Sequence, residues 1–176
     1  EEYLTKLEAL DQKEELEEKI VLTSANGLAS RRIGNKTQHE TAELLRRLGF
    51  EVEEYYGIGQ PDFIIRWKGN RVAIGAHKAF TLSKETTRQR TVNRGAMETE
   101  VKVASKYKVP LVILITNVRN GRRWAELIPY EKLQDFKRFT TPLILIDDDP
   151  ETAKICEETL LRLREILHSS IKQTAQ

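Results

Sequence analysis

Cysteine and methionine are almost absent from this chain, with one of each in 176 residues. A lone Cys156 excludes an internal disulfide and a cysteine-rich zinc site, and it fits a reducing, cytoplasmic setting. No apolar run approaches the length needed to span a bilayer, so no membrane partner is expected. No signal peptide is visible, and Glu1 in place of an initiator methionine points to a processed or trimmed chain. Internal repeats and low-complexity tracts are also lacking. What the chain has in quantity is charge: 32% of residues are Asp, Glu, Lys or Arg, a composition that leans towards a thermophile.

The net charge of +2 hides a segregation. Residues 1–20 hold eight acids and three bases. Residues 31–140 hold twelve acids and twenty-two bases. Residues 141–176 hold seven acids and four bases. A basic body between acidic ends attracts polyanions, and nucleic acid is the partner this implies.

Helices alternate with strands along the chain, so an α/β fold with a mixed sheet covered on both faces is expected. Residues 3–20 read as an acidic helix, and 1–22 as an arm for oligomerisation or for a protein partner. Thr23-Ser24-Ala25-Asn26-Gly27 reads as a break. The body, 31–176, opens with a helix from about Asn35 to Leu48, with Leu44, Leu45 and Leu48 inward and Gly49 as its stop. Strands are expected at 50–53, 62–67 and 72–78. An aperiodic polar stretch covers 81–93. A helix from 95 to 107 should turn Met97, Val101, Ala104 and Tyr107 inward. The run Leu111 to Ile115 reads as a central strand buried on both faces, followed by an Asn120-Gly121 turn and a strand from Trp124. A short helix is expected over 130–138, a buried strand over Leu143–Ile146 and a last helix over 151–168 behind Asp147-Asp148-Asp149-Pro150.

The hairpin over 62–78 holds the chemistry. Asp62 opens its first strand. Residues 76 and 78 are two apart on the next, so both side chains leave one face. An acid at 76 would put two carboxylates and the Lys78 ammonium around one point. That is the minimum set for hydrolysing a phosphodiester with Mg²⁺, a hard cation that takes oxygen ligands. The residue present is Ala76, and a methyl group offers no oxygen.

Pro61-Asp62 followed by Ala76-His77-Lys78 resembles the PD-(D/E)xK nuclease superfamily, with its restriction-endonuclease-like core. Within it the chain is similar to the archaeal Holliday junction resolvase branch. Glu40 on the first helix, Val109-Pro110-Leu111-Val112-Ile113 and Trp124-Ala125-Glu126-Leu127-Ile128-Pro129 add to that likeness. It covers about 33–140 and leaves the N-terminal acidic helix and the C-terminal helix as additions. The resemblance implies a Mg²⁺-dependent DNA endonuclease, with Mn²⁺ able to substitute, acting on branched or structured DNA, usually as a homodimer. It implies Asp62, Glu40 and position 76 as metal ligands, and Lys78 as the group that orients the attacking water. Ala76 then marks an inactivated form, whether engineered or a natural protein kept for binding. The alternative is a catalytically silent module of the same fold that binds nucleic acid or protein.

Around this site, Arg31, Arg32, Lys36, Lys84, Arg88, Arg90 and Arg94 are candidate phosphate contacts, of a type that holds the backbone without reading sequence. Glu43 could replace Glu40 as the helix acid. His77 has the opposite strand parity to Lys78 and should face away from the site. His39 belongs on a solvated helix face. Gln60 and Tyr56, in the loop before Asp62, could touch a sugar or a base.

Overall fold

The computed structural model describes residues 17–85 and 89–175. Most of the expected N-terminal helix and Arg88 lie outside them. The chain forms two compact units, Glu1–Lys36 and Thr37–Gln176.

The first helix, α1, runs without interruption over Glu17–Arg47. It passes through Thr23–Gly27, where a break was expected. Propensity is a weak prior: a single glycine costs about 1 kcal/mol, and each residue added to an existing helix gains a hydrogen bond. Gly49, at φ +102°, stops it as expected.

Five strands form one mixed sheet: β1 (Glu51–Glu54), β2 (Phe63–Trp67), β3 (Asn70–Phe80), β5 (Leu111–Asn117) and β6 (Arg123–Ile128), in the order β1-β2-β3-β5-β6. Helix α2 (Glu98–Tyr107) makes the crossover from β3 to β5, which pair in parallel. All other pairs in this sheet are antiparallel. Every residue of β5 is buried, because it is central and covered on both faces.

Strand parity sorts the core into two layers. Ile74, Ala76, Ile113 and Ile115 meet Met97, Val101 and Ala104 on the α2 side. Ala73, Phe63, Ile65, Val112 and Leu114 meet Ala42 and Leu45 of α1 on the other. Leu163 and Leu167 of the last helix, α3 (Pro150–Ala175), join this second layer.

Three expectations fail for a common reason. Leu143–Ile146 is not a strand but a 3-10 turn over Leu143–Leu145, with Leu143 exposed. Its carbonyls are taken by side chains instead of by a neighbouring strand. Asn117 and Asn120 donate to the Leu145 oxygen, Arg122 to that of Ile144 and Arg119 to that of Ile146. The expected helix over 130–138 shrinks to a 3-10 turn at Tyr130–Lys132 and a short strand, β7 (Arg138–Thr140). That strand pairs with β4 (Thr91–Asn93), inside the stretch that shows no periodicity. Tyr107 is exposed rather than inward, with the Arg71 guanidinium 3.5 Å above its ring. In each case long-range partners decide the local structure.

Among the described residues no helix is long and apolar enough to cross a membrane.

Candidate functional site

The β2–β3 hairpin turns through Lys68 and Gly69, both at positive φ (52° and 81°), the two-residue geometry whose twist matches paired strands. It sets Phe63 opposite Gly75. That is the end pair of the ladder: Asp62 lies one step before β2, and its carboxylate meets β3 at the His77 N–H, next to residue 76. Gly75 is required for this approach. A Cβ there would lie 2.9 Å from the Phe63 ring and 3.1 Å from its Cβ, in a fully buried place.

Asp62 is anchored through both backbone and side chain. Its Oδ2 accepts the His77 backbone N–H at 2.8 Å. Its own N–H donates to Glu100 Oε2 at 3.1 Å. Burial raises the Asp62 pKa above the ordinary carboxylate value, against the His77 N–H and the Lys78 charge, which lower it. Lys78 leaves β3 on the α2 side, level with Ile115, and its ammonium donates to the Ala96 carbonyl at 3.1 Å. Thus position 76 and Lys78 share one face of β3, as the spacing requires, and Asp62 meets the strand beside them at the His77 N–H.

Glu100 is the residue that sequence reasoning missed. It sits in the first turn of α2, only 6% exposed, among the apolar residues of that layer. Burial, then the charge of Asp62, pushes its pKa up to about 7. A helix pattern of Met97, Val101 and Ala104 puts Glu100 at the border of the inward stripe. That border position was the only signal for it.

Glu40 behaves otherwise. Its carboxylate lies 3.5 Å from Arg123, whose Nε donates to Thr41. Arg123 pairs with Thr116, and Thr116 accompanies Val112 and Leu114 on the α1 side of the sheet. The structure therefore places Glu40 on the face opposite Lys78. The helix residue that reaches the Asp62 backbone is Gln38, whose amide donates to the carbonyls of Tyr55 (2.9 Å) and Asp62 (3.4 Å). Glu43 pairs with Arg46 at 3.2 Å.

His77 faces away from the site as expected. It is buried, its Nε2 is 2.9 Å from Thr116 Oγ1, and burial lowers its pKa to about 3. His39 is exposed and gathers with Glu43 and Glu54, a set close enough to ligate a cation. The Arg46 guanidinium already lies against both carboxylates, 2.7 Å from Glu54, which explains the cluster as a balanced surface network. Tyr56 donates to Glu54, and Gln60 is exposed in the same loop.

The candidate phosphate contacts divide. Lys84 is exposed, 3.9 Å from Asp147. Arg90 lies 4.7 Å over the Phe80 ring. Arg94 donates to the carbonyls of Leu133, Gln134 and Phe136, so its head group is occupied in holding that loop. Arg31, Arg32 and Lys36 are exposed and belong to the unit before Thr37.

The sequence matches no known protein family and no curated protein. Among solved structures, the fold is similar to that of Hjc, a Holliday junction resolvase from the archaeal hyperthermophile Archaeoglobus fulgidus. The two are 15% identical with a TM-score of 0.41, over 69% of this chain and 88% of that one.

Proposed function

We propose that the chain carries a phosphodiesterase site for nucleic acid, dependent on Mg²⁺ or Mn²⁺, with branched or structured DNA as its substrate class. The observation that carries this reading is the hairpin geometry. Position 76 and Lys78 emerge on one face of β3, and the Asp62 carboxylate meets that strand between them, at the His77 N–H. A hard divalent cation bound there supplies polarisation of the phosphoryl oxygen and a more acidic water. Asp62 contributes an oxygen ligand whose orientation is set by the His77 N–H. Lys78 contributes a fixed positive charge where the phosphorane is most negative, and orients the attacking water once released from the Ala96 carbonyl.

Ala76 weakens the site, because the strand offers one carboxylate instead of two. In this reading the chain is an impaired nuclease. It assembles as a homodimer, as cutting two strands of a junction requires two active sites. A second reading, a silent binding module, is favoured by one observation: the helix residue against Asp62 is the amide Gln38, not an acid.

The test compares the chain with Ala76→Glu on duplex, single-stranded, flapped and four-way DNA in Mg²⁺. The expected outcome is clear cleavage by Ala76→Glu, lost in Ala76→Glu/Asp62→Asn and Ala76→Glu/Lys78→Ala. Salt-sensitive binding without cleavage by either protein would select the binding module.

A further inference from the structure

Glu100 is a buried acid with no role in the hairpin site as described, yet it touches it. We infer that Glu100, brought in by helix α2, replaces the carboxylate missing at position 76, so that the chain as it stands holds a divalent cation through Asp62 and Glu100. This rests on the phosphodiesterase reading of the site and changes its composition.

Four observations support the inference. Glu100 Oε2 is 3.1 Å from the Asp62 N–H, so its carboxylate lies beside the residue that starts the site. Glu100 is only 6% exposed, which is rare for an acid unless it is paired or ligating. The β3 residue next to the His77 N–H that holds the Asp62 carboxylate is Ala76, whose methyl brings no competing oxygen. The Lys78 ammonium on this face donates to the Ala96 carbonyl, and among the described residues it forms no ion pair with either carboxylate. A buried carboxylate close to the charge of half-buried Asp62 is costly, and a cation taking oxygen from both removes that cost. An acid that merely served the helix dipole from the first turn would do so at the surface. The donor set is all oxygen, which suits Mg²⁺ or Mn²⁺ and not a soft metal.

The test is Mn²⁺ binding, by calorimetry and by the electron paramagnetic resonance of free Mn²⁺, with thermal melts in EDTA to confirm folding. The proteins are the chain itself, Asp62→Asn, Glu100→Gln, Ala76→Glu and the double variant Glu100→Gln/Ala76→Glu. The expected result is one site in the chain, weakened on the order of tenfold or more in Asp62→Asn and in Glu100→Gln. The double variant should regain binding, since the carboxylate returns from the strand. Equal binding by the chain and Glu100→Gln would overturn the role of Glu100. So would binding by Ala76→Glu but not by the chain. Both of those results leave the phosphodiesterase reading standing. No binding by any of the five proteins would overturn the inference and that reading together.

Discussion

The residues around Asp62 are held by burial and backbone contacts, so their chemistry depends on which of them can afford a charge. His77 is the sharpest case. It is buried between Phe63 and Thr116, and that burial, followed by the charges of Arg123 and Lys78, favours the neutral ring. Its folded pKa of about 3 lies below the ordinary histidine value of 6.5. The unfolded chain therefore takes up this proton first as pH falls. Its contribution to stability is full above 6.5 and is lost between 6.5 and about 3. Urea melts across that range should show a steeper loss for the chain than for His77→Gln, which lacks the titration. Gly75 is the second case. Gly75→Ala forces a methyl into the fixed Phe63 ring, and denaturation should show a loss of about 1–3 kcal/mol.

Individual elements follow turn chemistry and the availability of partners. The Lys68-Gly69 turn places a lysine at a positive φ that suits asparagine or glycine better. Lys68→Asn should raise the melting temperature, and Gly69→Val should cost about 1–2 kcal/mol by equilibrium unfolding. Partner supply separates Leu111–Asn117 from Leu143–Leu145. Both read as apolar strands, but β5 has β3 and β6 on its two sides, whereas the later run meets side-chain donors of Asn117, Asn120 and Arg122. Buried Asn117 also ties both backbone groups of Leu82, and so fixes the chain just past Lys78.

On the scale of the whole molecule, the basic excess of residues 31–140 matters more than the net charge. If that surface takes nucleic acid, log K should fall linearly with log salt. Lys84→Ala should lower the slope by about one. Arg94→Ala should instead lower the melting temperature, because its guanidinium caps the loop carbonyls of Leu133, Gln134 and Phe136. Filter binding at several salt concentrations, beside thermal melts, separates the two effects.

What the sequence determined by itself was local: the alternation of helices and strands, the two-sided burial of Leu111–Ile115, the hairpin turn and the shared face of residue 76 and Lys78. Strand parity and turn chemistry act over a few residues, so they are readable in order along the chain. Tertiary structure alone decided which distant residues join that face. Glu100 is 38 residues from Asp62 and meets it only because α2 crosses over from β3 to β5. Glu40 and Gln38 are separated by about 200° around their helix, so the packing of α1 on the sheet sends one to Arg123 and the other to the Asp62 backbone. A single helix offers every direction, and only the sheet it packs on selects one.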